Sequence, residues 1–231
     1  MKSKLIALLL TAGAIAHGST ITYLISMDTS PLIGNSAGPF SLEFQLIDGS
    51  GTNDSNNTVV LDSFDFGSGS TVGSAFLTGG ASGSLAGAVT LTDSDFFNQF
   101  YQSFLPGNLL QFRVSLSNNV DGGGVPDQFS FAILDSSFLE IPTLGPADAF
   151  LIANIDSSTP VLESYGFDGE RTTISIDVPS VNTYTVVPEP SAAWLAISTV
   201  GLLFVARRRK EKLARRSQKL EMSPDVGRSA M

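Results

Sequence analysis

The chain has 231 residues, 42% hydrophobic and 15% charged, with 22 carboxylates against 13 Lys and Arg and a formal charge of −9. It contains no cysteine and one histidine, which excludes a disulfide framework and the usual zinc ligand sets and leaves folding to a hydrophobic core. Between His17 and Pro190 only Arg113 and Arg171 stand against 19 carboxylates, a net −17, so this middle region lacks the clustered cations that nucleic acid requires.

The N-terminus reads as an export signal. Lys2 and Lys4 form a positive start, residues 5–16 are apolar, and Ala14, Ile15 and Ala16 make an A-x-A site, with cleavage expected after Ala16 or after Gly18. The apolar run is too short to span a bilayer comfortably. Residues 1–18 are therefore assigned to a signal peptide and 19–187 to the exported domain.

That domain carries the two-residue period of half-buried strands. Phe40, Leu42, Phe44 and Leu46 alternate with polar residues, as do Leu110, Phe112, Val114 and Leu116, then Phe129, Phe131 and Ile133, then Ile174, Ile176 and Val178. Further strands are expected at 21–27, 59–66, 85–91, 150–155 and 184–187, with a bulge where the phase slips between Leu61 and Phe64. Gly, Asn, Asp and Ser clusters at 48–57, 67–73 and 121–124 mark turns. Many short strands with turn signals between them predict an all-β fold, an antiparallel β-sandwich of jelly-roll type. One short helix is expected as well. Phe96, Phe97, Phe100, Tyr101 and Phe104 fall on one helical face, with Thr92 or Asp93 as cap and Pro106-Gly107 as stop.

Chemistry-bearing constellations are few. Gly34-Asn35-Ser36-Ala37-Gly38 matches the nucleophile-elbow pattern, but no histidine lies inside the domain to act as base and Pro39 stands where a helix must follow. Carboxylate pairs are the chemistry that remains, as in glycoside hydrolysis. Asp93, Asp95, Asp121 and Asp127 offer hard oxygen ligands on turns and are calcium candidates, although none fits EF-hand spacing. No metal and no cofactor are assigned.

The C-terminal region carries the most specific signal. Pro188 and Pro190 lack amide hydrogens and hold the backbone extended around Glu189. Sixteen uncharged residues, 191–206, follow, about 24 Å of helix at roughly 1.5 Å per residue. Trp194 sits near the start of that run, and Arg207, Arg208, Arg209 and Lys210 close it as a membrane stop. From 207 onward nine Lys or Arg oppose three acids, so the ends and the middle of the chain are expected on opposite sides of a membrane.

This order of Pro-Glu-Pro, apolar helix and basic block resembles the PEP-CTERM sorting signal (residues 188–210, with a transmembrane helix at 191–206). The resemblance implies export across the inner membrane, a membrane-anchored precursor and processing by an exosortase as a transient partner. It further implies a final place at the cell surface or in the extracellular matrix of an exopolysaccharide-producing cell. The chain departs from that pattern in continuing past the basic block, as a polar cytoplasmic tail at 211–231. The expected function is that of a non-enzymatic surface or matrix protein, with exopolysaccharide or other surface proteins as partners and the membrane engaged through the C-terminal helix. The alternative is a carboxylate-dependent glycan-active enzyme with the same sorting tail.

Overall fold

The computed structural model describes residues 20–50, 54–120, 124–156 and 159–184. The signal-peptide residues Ala14, Ala16 and Gly18, the motif Pro188, Glu189 and Pro190, the membrane segment, the stop residues Arg207, Arg208, Arg209 and Lys210, and the tail lie outside the described residues. Among those described, no helix is long and apolar enough to cross a membrane.

Alternation of apolar and polar side chains builds most of the strands. They are β1 (Thr20–Met27), β2 (Phe40–Ile47), β3 (Thr58–Asp65), β4 (Ser70–Thr71), β5 (Phe76–Thr78), β6 (Gly80–Gly83), β7 (Val89–Thr92), β8 (Phe97–Leu105), β9 (Leu110–Ser117), β10 (Asp127–Leu134), β11 (Leu151–Ile155), β12 (Leu162–Ser164) and β13 (Ser180–Tyr184). One antiparallel sheet runs β13-β1-β9-β3-β7-β6; the other runs β12-β11-β10-β2-β8-β4, with β5 also paired to β8. Their apolar faces share a single core. Phe44 of β2 shows how the layers meet. Its ring lies 5.2 Å from Phe131 and 5.9 Å from Phe100 in its own sheet, and 5.6 Å from Phe112 and 6.1 Å from Phe64 in the other. The chain is thus an all-β antiparallel sandwich, as its alternation predicts.

The predicted bulge is present. The β3–β9 register shifts between Asp62 and Asp65, and Ser63 takes a φ of 56°. This extra residue lets Phe64 reach the core after Leu61 has already done so. Turns between strands are pressed tightly together at one place in particular: a Cβ on Gly107 would run into the Phe66 carbonyl and the Gly69 amide. Only glycine permits that approach.

Two expectations are corrected. The segment read as a helix is strand β8, paired along its whole length with β2 from Phe40↔Phe104 to Ile47↔Phe97. Residues four apart share a helical face, but they also share a strand face, so the aromatic spacing fits both periods. What hid the strand is that its core-facing row alternates Asn98 and Gln102 with Phe100 and Phe104, all buried. Both polar side chains are satisfied by irregular backbone. Gly80 N–H donates to Asn98 Oδ1 at 2.7 Å, and Leu85 N–H donates to Gln102 Oε1 at 2.9 Å. Gln102 Nε2 in turn donates to Gly73 O at 2.8 Å. They fasten the Gly- and Ser-rich stretch around β5 and β6 to the sheet. With no helix to cap, Asp93 has another role, described below. The second correction concerns Ile174 to Val178. Ile174 and Ile176 are buried, but the segment joins no strand ladder, and Val178 is exposed.

Candidate functional site

Two side-chain constellations stand out, one buried at an end of the sandwich and one on the outer face of the β2-containing sheet.

The first is centred on Asn57, just before β3. Its Nδ2 donates to Asn119 O and to Asp127 Oδ2, both at 2.8 Å. Its Oδ1 accepts from Ser117 Oγ at 2.9 Å and from Asn119 N–H at 3.1 Å. All four bonds available to the amide are therefore made. The Asn57 N–H donates to Asp93 Oδ2 at 2.8 Å, while Asp127 Oδ1 accepts from Gly49 N–H at 2.7 Å. One asparagine thereby ties together the β2–β3, β7–β8 and β9–β10 connections.

Asp93 within this network is fully buried, and its Oδ1 has no hydrogen-bond partner. Desolvation is the main cause that pushes its pKa up to about 6. The bond from Asn57 opposes the shift, and the charges of Asp127 and Asp54 add to it.

Of the calcium candidates, the structure brings Asp93 and Asp127 into one network through Asn57. Asp95 is exposed and outside it, and Asp121 lies outside the described residues. Among the described residues no group of three or more His, Cys, Asp or Glu is placed to hold a metal ion. The arrangement works as a hydrogen-bonded clasp on three loops.

The second constellation lies on the central strands β10, β2 and β8. Glu43 points to the outer face, directly opposite Tyr101 of β8 on one side and Ala132 of β10 on the other. Side chains so paired lie about 5 Å apart at Cβ and act on one another. Glu43 is only 4% exposed. Gln99 Nε2 donates to its Oε1, and its Oε2 is buried without a partner. Burial raises its pKa, the Gln45 and Gln99 amides pull the other way, and the charge of Glu140 adds to the rise.

Rings gather around this carboxylate. Phe76 stacks on Tyr101 at 4.6 Å and 20°, and Phe138 approaches Tyr101 from the β10–β11 connection at 5.5 Å. Phe76 is 48% and Phe138 60% exposed. Large rings left half in water on a sheet face are the informative exception to burial.

Farther along the same outward row of β8, Ser103 and Leu105 help line a mainly apolar cavity of about 370 Å³, with Leu32, Pro39, Val72 and Pro106 among its walls. The described arginines are both committed elsewhere. Arg113 Nε meets Asp62 at 2.7 Å. Arg171 meets Asp148 at 2.6 Å and Asp168 at 2.5 Å.

Sequence reasoning names Asp93 and Asp127 but misses Asn57, Glu43, Phe76 and Phe138. Glu43 does carry a signal, as the one charge in an alternating strand. Phe138 carries a weaker one: it follows Asp135-Ser136-Ser137, a turn sequence, where an aromatic is out of place. In comparisons with known proteins the chain matches no family model, no curated protein and no solved structure.

Proposed function

We propose that this chain is an exported, non-enzymatic cell-surface or matrix protein, sorted and processed by an exosortase and associated with exopolysaccharide or with other surface proteins. The observation that carries the reading is the tripartite run from Val187 to Lys210, with its Pro-Glu-Pro motif, uncharged segment and basic block. An acidic β-sandwich without cysteine, ahead of such a tail, supports it. The nested pairings β2–β10 and β3–β9, with β1 beside β13, support a jelly-roll-like winding. The export signal of residues 1–18, with Lys2, Lys4, Ala14, Ala16 and Gly18, supports passage across the inner membrane.

A second reading, a glycan-active enzyme, is favoured by one observation: Glu43 has a raised pKa and a second carboxylate, Glu140, acts on it. A paired acid of that kind can serve as a proton donor in glycoside hydrolysis. Against it stands the burial of both Glu43 oxygens, one of them beneath the Gln99 amide.

Glu189 supplies the one carboxylate held between the two prolines, so it is the group an enzyme arginine would grip. Glu189→Ala should leave hydrophobicity and membrane insertion unchanged while trapping a full-length, membrane-bound precursor. The measurement compares size and fractionation of the tagged chain in cells with and without the exosortase. If Glu189→Ala matures and leaves the membrane like the wild type, the tail is an ordinary single-span anchor.

A further inference from the structure

Three features of the outer face of the second sheet point to a ligand. The first is the ring cluster of Phe76, Tyr101 and Phe138, already described, in which two rings stay about half exposed. The second is Glu43, nine-tenths buried between β8 and β10, whose Oε2 accepts no hydrogen bond. A buried acceptor left without a donor is costly unless something else supplies one. The third is the backbone of Phe138. Its φ is 58°, a conformation that glycine adopts freely and a bulky side chain does not.

The turn that carries Phe138 is over-determined. Asp135 Oδ1 accepts from Ser137 N–H at 2.7 Å and from Leu139 N–H at 3.1 Å. Asp135 N–H donates to Leu139 O at 2.8 Å, and Phe138 N–H donates to Asp135 O at 3.0 Å. Four hydrogen bonds thus hold an aromatic ring against Tyr101 at a position where glycine would relax the chain. Strain kept in place by its surroundings is an observation that points to use.

We infer that this face, around Phe76, Tyr101, Phe138 and Glu43, binds a neutral polysaccharide chain. The inference rests on the surface-protein reading above and names the partner's chemistry and its site. Half-exposed rings offer apolar faces to the C–H faces of sugar rings. The outward side chains on β2, β8 and β10 include the hydroxyls and amides of Gln45, Gln99, Ser103 and Ser130, beside the apolar Ala132. Such a surface matches a ligand dense in hydroxyl donors and acceptors. A polyanionic chain is disfavoured: both described arginines are already paired with carboxylates, and Glu43 and Glu140 would repel it.

The test is affinity gel electrophoresis of the purified full-length chain, with gels containing a neutral β-glucan, a galactomannan, dextran or alginate. The wild type should be retarded by at least one neutral polymer and not by alginate. Phe138→Gly removes the ring while relaxing the turn. It should melt at or above the wild-type temperature and bind about tenfold more weakly. Phe76→Ser should weaken binding similarly, whereas Val161→Ser, at an exposed site in the β11–β12 connection, should bind as the wild type does.

Retardation by alginate alone, or by none of the four polymers, overturns the inference. So does unchanged binding by Phe138→Gly and Phe76→Ser. Sedimentation equilibrium adds a further outcome: a wild-type dimer that both ring substitutions dissociate would make this face a contact between copies of the chain and overturn it too. Hydrolysis of the polymer would sink the non-enzymatic reading while leaving the binding face intact. Failure of the sorting reading is seen separately, in the fractionation of Glu189→Ala.

Discussion

Phe44→Ala should cost about 3–5 kcal/mol of folding stability, the range for a large aromatic lost from a well-packed core. Phe44 is fully buried and its ring touches four others, two from each sheet. Truncation removes apolar burial and opens a cavity where the layers join. The surrounding rings, fixed by strand pairing on both sides, cannot collapse to fill it. Domains of this size are stable by roughly 5–15 kcal/mol in total, and no disulfide supplements the core. A third or more of the stability is therefore at stake. Phe44→Leu, which keeps most of the volume, should cost less than about 1.5 kcal/mol. The measurement is guanidinium denaturation followed by far-ultraviolet circular dichroism, which reports directly on the strands. A loss below about 1 kcal/mol for Phe44→Ala would mean that the sheets do not depend on this ring.

The contrast between Phe44 and Phe138 shows what alternation can and cannot reveal. Strands β2, β9 and β10 are legible because their core rows are apolar and their outer rows polar, so period two is visible without any tertiary knowledge. Strand β8 is not, because its core row includes Asn98 and Gln102. Those amides are stable in the interior only through bonds to Gly80, Leu85 and Gly73, partners that no local pattern announces. Strands β4, β5 and β6 are short and rich in small or polar residues; neighbours, not propensity, make them strands. Ile174 and Ile176 err in the opposite direction. An extended segment laid against a core alternates in burial whether or not it pairs, and this one contributes only single bonds such as Phe167 N–H to Ile176 O at 3.0 Å.

The candidate sites were partly legible for the same reason. Asp93 and Asp127 are visible as hard-oxygen residues on turns, but the asparagine that joins them lies 36 and 70 residues away from them in sequence. Glu43 is visible as an outward residue of β2. Its burial between Tyr101 and Ala132 depends on β8 and β10, both supplied by other parts of the chain.

Asp93→Asn should stabilise the protein by up to about 3 kcal/mol at pH 7.5 and by much less near pH 4, a difference to be read from the pH dependence of folding. The folded-state pKa of Asp93 is pushed up to about 6 from an ordinary value of 3.8, and each unit is worth ~1.4 kcal/mol. Between those two values the folded protein holds a proton that the unfolded chain has released. Stability therefore falls as pH rises through that window, and the cost is fully present above about 6. Below the unfolded value both states are protonated and the cost is absent. The amide removes the titration: its oxygen can still accept from Asn57 N–H, and its NH2 faces the carboxylates of Asp127 and Asp54 instead of repelling them. Glu43 is present in both proteins and outside the Asn57 network, so its contribution cancels in the difference. Denaturant midpoints for the two proteins, taken from pH 4 to 8, should diverge across this window with Asp93→Asn the more stable at the alkaline end. A difference that is the same at every pH would show that Asp93 stays ionised throughout. The clasp around Asn57 would then hold its buried carboxylate without a desolvation cost.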